Sequence, residues 1–142
     1  MRWSDHAQTV LRGAGFKPGK ARAAVIEALG EQSCCLSVPE IYDVVRQHRA
    51  GVGIASVYRA LETLTELGLV HRLELGAAGA HYEPAQPGGA HHHHLVCADC
   101  GKVEAFSDER LEHVIDNVSR AAAFRIDDHD VVLRGQCGSC VA

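Results

Sequence analysis

The stretch His91–Cys100 reads HHHHLVCADC and decides how the second half of the chain folds. It ends in a Cys-x-x-Cys pair, Cys97 and Cys100, and a second such pair follows at Cys137 and Cys140. Thiolates two residues apart can bind one tetrahedral zinc ion, and two such pairs complete a closed four-thiolate site. The spacing therefore predicts a structural zinc ion, and it fits redox or disulfide use of either pair less well.

Four consecutive histidines precede the first cysteine pair. A closed four-thiolate site has no open position, so we expect these imidazoles to serve a second, exchangeable metal. Alternate side chains of an extended chain point to opposite faces, which puts His92 and His94 on one face and His91 and His93 on the other. One run can then supply two metal sites; the alternative is a solvated polar loop.

The charge of the chain is unevenly distributed. Over the 142 residues the formal net charge is -4. Residues 1–85 carry nine basic and nine acidic side chains, and residues 86–142 carry five and nine, so the acidic excess lies where cation-binding groups are expected. No acid interrupts the stretch between Asp5 and Glu27, which forms a local basic patch and is weak evidence for a nucleic-acid partner. Its basic residues are Arg12, Lys17, Lys20 and Arg22.

Six cysteines in so short a chain would fit a disulfide framework in a secreted protein. However, the first residues are polar and unlike a signal peptide, and no apolar run approaches membrane length. We therefore expect a cytoplasmic protein with reduced, metal-binding thiols and no membrane partner.

Apolar spacing in the first half predicts four helices followed by two strands. Ser37-Val-Pro-Glu40 has the pattern of a capping box that starts the third helix, and Gly68 ends the fourth. This order is typical of a winged helix-turn-helix. The helices are expected over 4–14, 20–29, 37–48 and 54–67, and the strands over 69–75 and 80–83.

Residues 85–90 are rich in proline and glycine and predict a hinge between a domain at 1–84 and a domain at 91–142. Beyond the hinge, short strands are expected around the first cysteine pair, and Ser107-Asp108-Glu109 starts a helix. A longer strand is expected from Phe124 to Arg134, which would return the second cysteine pair to the first.

The fourth helix carries polar side chains near its start. Ser56, Tyr58 and Arg59 lie on its predicted exposed face, where they could enter a major groove and contact bases or phosphates. The alternative is an amphipathic helix in a bundle with no such role.

Four segments, in order, resemble the ferric uptake regulator family of bacterial metal-dependent repressors. The resemblance extends from about Leu11 to Cys140. The segments are SVYRAL at 56–61, ELGLV at 66–70, HHHHLVCADCGKV at 91–103 and CGSC at 137–140.

The resemblance implies an α+β protein with an N-terminal winged helix-turn-helix and a C-terminal α/β dimerisation domain that holds structural zinc. Residues 54–67 would be the recognition helix, with Tyr58 and Arg59 among its DNA contacts. Lys17 matches a basic residue beside the DNA backbone or minor groove. The family often has Thr-x-Gln-Arg where residues 19–22 read Gly-Lys-Ala-Arg, so only Arg22 matches there.

The resemblance also implies two further metal sites. The sensory site would use Cys35, Glu83, His92 and His94. A histidine is usual at Cys35 in the iron- and peroxide-sensing branches, and His81 or His71 could substitute for it. The second site would use His91, His93, Glu112 and His129. No role is assigned to Cys34.

The implied function is a homodimeric repressor that binds double-stranded operator DNA and controls metal uptake. Its structural cofactor would be zinc, and its regulatory cofactor zinc or iron(II), with manganese(II) as a further candidate. An iron-dependent peroxide sensor is an alternative. A metal storage protein and a zinc hydrolase with Glu112 or Glu83 as base are rivals from other classes. The chain has no HExxH pattern and few aromatic residues to build a substrate pocket, so we predict that it is not an enzyme.

Overall fold

The computed structural model of the protein describes residues 2–32, 34–86 and 92–141. The chain divides into two units, Met1–Ala90 and His91–Ala142. Residues 87–91, which include most of the predicted hinge and His91, lie outside the described residues. In the described part of the chain, no helix has the length and apolar character needed to cross a membrane.

The first unit contains four helices: α1 (Trp3–Gly13), α2 (Lys20–Gly30), α3 (Val38–His48) and α4 (Ile54–Glu66). Their apolar faces pack on one core, in which Leu29, Ile41 and Leu64 are fully buried. Trp3 holds α1 to this core, because its indole Nε1 donates to the carbonyl oxygen of Leu69 at 2.9 Å. The four predicted helices are confirmed to within one residue at each end.

Local signals set the ends of α3 and α4. The hydroxyl of Ser37 accepts from the backbone N–H of Glu40 at 3.3 Å, and the Glu40 carboxylate accepts from the Ser37 N–H at 2.9 Å, so the predicted capping box is present. Gly68 has φ +69°, the left-handed conformation that ends a helix. The short connection between α3 and α4 makes them a helix-turn-helix pair.

A small antiparallel sheet completes the first unit. Its strands are β1 (Leu36–Ser37), β2 (Val70–Glu74) and β3 (Ala80–Pro84), in the order β1-β3-β2. Leu36 lies opposite Tyr82, and His71 lies opposite Glu83. The β2–β3 hairpin is the wing. The sequence did not predict β1, because two residues are too few to show an alternating pattern.

The second unit is a three-stranded sheet with one helix. Its elements are β4 (His93–Cys97), β5 (Val103–Phe106), α5 (Glu109–Ala121) and β6 (Val132–Gly135). The strand order is β5-β4-β6, with β4 antiparallel to β5 and parallel to β6. The side chain of Asp108 caps α5 by accepting from the N–H of Arg110 at 2.8 Å.

The prediction of a long strand from Phe124 to Arg134 is wrong, because β6 begins only at Val132. Ala123 has φ +53° and ends the helical segment, and the Phe124 N–H turns back to the carbonyl of Ser119 at 2.9 Å. Farther on, Asp128 accepts from the N–H of His129 at 2.9 Å. Such local hydrogen bonds from an aspartate compete with strand pairing.

Candidate metal centres and nucleic-acid interface

The four cysteines of the Cys-x-x-Cys pairs come together in the second unit. Their sulfur atoms lie within 4.8 Å of one another. The parallel pairing of β4 and β6 brings them there, since Cys97 lies opposite Gly135 and the second pair follows directly. None of the six cysteines, all of which are in described segments, forms a disulfide.

Two backbone hydrogen bonds favour the thiolate form of Cys97. The backbone N–H groups of Cys100 and Cys137 donate to its Sγ at 3.5 and 3.3 Å. These hydrogen bonds lower the pKa of Cys97 to about 6. The pKa of Cys140 is instead raised to about 12, first by its contact with the Cys137 thiol. A zinc ion would displace the protons from all four sulfurs, and this donor set fits a structural, tetrahedral site.

A second cluster in the same unit joins His93, Glu112 and His129. His93 Nε2 lies 2.6 Å from Oε1 of Glu112, and His129 Nε2 lies 2.7 Å from Oε2 of the same carboxylate. These three residues come from β4, α5 and the segment before β6, as the predicted second metal site requires. The fourth predicted ligand, His91, lies outside the described residues.

Hydrogen bonds already organise this cluster. The backbone N–H of Val131 donates to Nδ1 of His93 at 3.1 Å, so a neutral His93 carries its proton on Nε2 and donates it to Glu112. Metal-binding histidines usually donate through the nitrogen that does not bind the metal. A metal at Nε2 would therefore have to displace the Glu112 hydrogen bond and rearrange the Val131 contact.

The first unit offers thiols and a carboxylate close together. Cys34 and Glu83 present ligand atoms within 4.8 Å of each other. Cys35, the ligand predicted from the sequence, is not part of this group, and its Sγ lies 3.6 Å from Cys34 Sγ. The pKa of the Cys35 thiol is raised by its hydrogen bond with Cys34, then by burial and by the negative charges of Cys34 and Glu83. Glu83 itself is buried on β3.

The two substitute ligands named from the sequence have other surroundings. His81 is buried, with Nδ1 3.2 Å from the carbonyl oxygen of Gly79 and Nε2 3.8 Å from the carboxylate of Glu40. His71 lies opposite Glu83 in the β2–β3 pairing but is exposed. Neither histidine belongs to a group of potential metal ligands found among the described residues.

The remaining histidines of the run form a pair of their own. His92 and His94 present ring nitrogens within 4.8 Å of each other, and their ring centroids are 5.0 Å apart. His94 is fully buried. For the three described histidines, the predicted alternation is therefore confirmed: His93 belongs to the Glu112 cluster and its two neighbours do not.

The start of α4 presents polar groups to solvent. Tyr58 is 53% exposed, Arg59 is exposed, and the Arg59 guanidinium donates to the Ser56 hydroxyl at 3.0 Å. Gly53 is the N-cap and supplies no side-chain acceptor. The first N–H groups of α4 thus suit a phosphate oxygen.

Lys17 and Arg22 differ in their surroundings. Lys17 is exposed, whereas the Arg22 guanidinium donates to the Lys17 carbonyl oxygen and lies over the Phe16 ring, 5.2 Å from its centroid. Arg22 therefore shapes the loop that carries Lys17.

Comparison with known proteins decides the family. The model of the ferric uptake regulator family matches residues 13–134. The chain belongs to this family. The ferric uptake regulation protein of Bacillus subtilis (strain 168) is 35% identical over 138 residues, which are 96% of this chain and 93% of that protein.

Solved structures of the family share the fold. The ferric uptake regulator of Helicobacter pylori, described with three functional metal binding sites, matches with a TM-score of 0.86 and 29% identity, over 97% of this chain and 91% of that one. The ferric uptake regulator of Vibrio cholerae, described with a rearrangement of its DNA-binding domains, matches with a TM-score of 0.81 and 30% identity, over 91% and 98%. The predicted fold class is confirmed.

Members of the ferric uptake regulator family are transcription regulators and not enzymes. The chain is therefore a metal-responsive, DNA-binding regulator, and the zinc hydrolase and storage alternatives are wrong. The sequence reasoning missed two features of the sites. Cys34 was assigned no role, although two adjacent thiols are visible in the sequence. The contact of Val131 with His93 depends on tertiary structure and could not be predicted.

Proposed function

We propose that this regulator is a homodimeric repressor whose affinity for operator DNA rises when a sensory metal ion binds. The proposal rests on two incomplete sets of metal ligands, one in each unit. The first unit offers a thiol and a buried carboxylate, from Cys34 and Glu83. The second unit offers two imidazoles, from His92 and His94. Neither set alone fills a four-coordinate site.

An ion that binds both sets would favour one arrangement of the two units. The metal acts by population shift, because it stabilises only the arrangement in which all four ligands reach it. In a dimer, that arrangement fixes the spacing of the paired recognition helices, and a palindromic operator selects for this spacing. A coupling free energy of about 1.4 kcal/mol gives a tenfold gain in operator affinity.

The proposed DNA contacts lie in the first unit. α4 would enter the major groove with Ser56, Tyr58 and Arg59 near the bases and phosphates, and Lys17 would contact the backbone. Arg22 would act by holding the loop of Lys17, since its guanidinium is bound to that loop. A DNA-binding regulator of this kind would act in the cytoplasm.

A second copy of the chain is the proposed partner of the second unit. α5 buries none of its residues, and Val114 and Val118 are 57% and 56% exposed. Leu133 on β6 is also exposed. Apolar side chains exposed together on a small domain are typical of a subunit interface.

The remaining ligands have separate roles in this proposal. Cys97, Cys100, Cys137 and Cys140 would hold structural zinc and so stabilise the second unit. The cluster of His93, Glu112 and His129, with His91, would be an accessory metal site that connects β4 to α5. The thiols near Glu83 weigh against iron-dependent peroxide sensing, because iron(II) in such sensors would need an all nitrogen and oxygen set.

Two single substitutions, Glu83→Ala and His92→Ala, test the shared sensory site. Each should abolish the effect of metal on operator binding while the dimer and its structural zinc remain, as measured by sedimentation and zinc content. His129→Ala is the matched control, because it changes a histidine of the other cluster and should retain the response. An unchanged metal response in both test variants would refute the shared site.

A further inference from the structure

Two thiols converge at the end of the segment that connects α2 to β1. Cys34 and Cys35 are adjacent in sequence, and the side chains of adjacent residues in an extended chain point to opposite faces. Their sulfur atoms nevertheless lie 3.6 Å apart, and both side chains are half-buried. The backbone at Cys34 and Cys35 therefore turns, so that both sulfurs lie on the same side of the chain.

Strand pairing fixes where these sulfurs lie. Leu36 is buried and pairs with Tyr82, and Ser37 pairs with His81, in the antiparallel register of β1 and β3. Continuing this register by one residue puts Cys35 opposite Glu83. Cys34 and Glu83 already present ligand atoms within 4.8 Å of each other. Cys34 and Glu83 thus lie close together near the end of β3, and the Cys35 sulfur lies beside that of Cys34.

This donor set has a definite preference among cations. Binding through both sulfurs and the carboxylate would place three negative charges around one ion, and in a protein interior a divalent cation is needed to offset such charges. Thiolates favour zinc and other soft cations, whereas iron(II) and manganese(II) are better matched by imidazole, carboxylate and water. Two sulfurs impose this preference more strongly than one.

We propose that Cys34 and Cys35 both bind the sensory ion, with Glu83, as a two-sulfur chelate that selects a thiophilic divalent cation of the zinc class. This proposal rests on the proposed sensory function, and it adds the second thiol and the selectivity. The sensor would accordingly respond to zinc and discriminate against iron(II) and manganese(II).

Cobalt(II) spectroscopy measures how many sulfur atoms bind the sensory ion. The full-length dimer, with zinc retained at the four-cysteine site, is titrated with cobalt(II) without oxygen, and the sulfur-to-cobalt charge-transfer absorption is measured. The wild type should show the intensity of two thiolates, and Cys34→Ser and Cys35→Ser should each lose about half of it, since each removes one of two equivalent donors. His113→Ala is the control, because His113 is exposed and belongs to no group of potential metal ligands among the described residues, so the charge-transfer absorption should not change.

The other outcomes separate the chelate from the function it rests on. Loss of absorption in only one serine variant would overturn the two-sulfur chelate. Bound cobalt without charge transfer would overturn it as well, while metal-dependent DNA binding in the same sample would leave the proposed function intact. If no metal changes DNA binding, the proposed function itself fails.

A competition experiment tests the selectivity. In Cys34→His/Cys35→His, the affinity for zinc should fall by about 10–100-fold or more. Substituting residues that only orient metal ligands already causes a loss of this size. The affinity for manganese(II) should stay the same or rise. An unchanged ratio of zinc to manganese affinity would overturn the claim that the thiols set the choice of metal.

Discussion

The imidazole Nε2 of His93 lies 2.6 Å from Oε1 of Glu112, a residue 19 positions away on α5. The rings on either side of it in the sequence, His92 and His94, contact each other. Consecutive histidines therefore belong to different clusters. Substituting His93 should therefore lower the stability of the second unit, whereas substituting His92 should remove the response to metal.

His93→Ala should destabilise the second unit and leave the metal response in place. The fully buried ring of His93 accepts from Val131 and contacts Glu112, so its removal leaves polar groups unpaired. Losing such partners reduces the free energy of unfolding by about 1–3 kcal/mol. Denaturant unfolding measures the loss, and operator binding with and without metal measures the response. A variant of normal stability that no longer responds to metal would contradict the separation.

Cys137→Ser should release zinc from the second unit and dissociate the dimer. The backbone N–H of Cys137 donates to Cys97, and its own sulfur lies 3.8 Å from that of Cys100, so it connects the two cysteine pairs. Because a structural zinc site contributes directly to folding, we expect a large fall in thermal stability. Zinc content and sedimentation measure the effect. Cys34→Ser is the control, because it leaves the four-cysteine site intact and should stay dimeric with its structural zinc bound. A stable, dimeric Cys137→Ser protein would exclude the structural role.

The double substitution Tyr58→Ala/Arg59→Ala should abolish operator binding and leave metal binding unchanged. Both side chains are exposed on α4, so their loss should not disturb the core. Arg59→Ala alone should reduce the slope of log affinity against log salt by about 1, the value for one lost phosphate contact. Arg110→Ala is the control, because Arg110 is an exposed arginine of the second unit, where it pairs with Asp108. Normal DNA binding by the double variant would show that α4 is not the recognition helix.

Mild oxidation should reversibly remove the metal response. Diamide takes two electrons and two protons from Cys34 and Cys35 as they join in a disulfide, which leaves no thiolate to bind the ion. Adjacent Cα atoms are about 3.8 Å apart, less than the roughly 4.4–6.8 Å that most disulfides span, so this disulfide should be strained and easily reduced. Mass spectrometry and DNA binding before and after dithiothreitol measure the effect. If the metal response is lost while mass spectrometry finds no disulfide between Cys34 and Cys35, oxidation acts elsewhere.

The sequence predicted those parts of the fold that local chemistry determines. The four N-terminal helices follow from apolar spacing, and their ends follow from Ser37 and Gly68, which act within one turn of helix. The separation of His93 from its two neighbours follows from strand alternation. In each case the cause lies within a few residues of its effect.

The features that the sequence did not predict depend on contacts between distant segments. The pairing of β1 with β3 brings Glu83 beside the thiols, and neither strand indicates its partner. The N–H of Val131 reaches His93 across 38 residues. The shortened β6 reflects a local competition at Asp128 that an apolar pattern between Phe124 and Arg134 does not reveal.

Fluorescence anisotropy of the dimer on DNA from its own promoter tests the central claim most directly. The measurement is made without oxygen, with structural zinc retained, and with free zinc, iron(II) and manganese(II) each buffered over a wide range. We predict that zinc tightens binding by about tenfold or more, equivalent to at least ~1.4 kcal/mol of coupling, at far lower free concentration than the other two metals. Equal affinity with and without every metal would contradict a metal-dependent repressor, and a response to iron(II) or manganese(II) alone would contradict the thiol-based sensor.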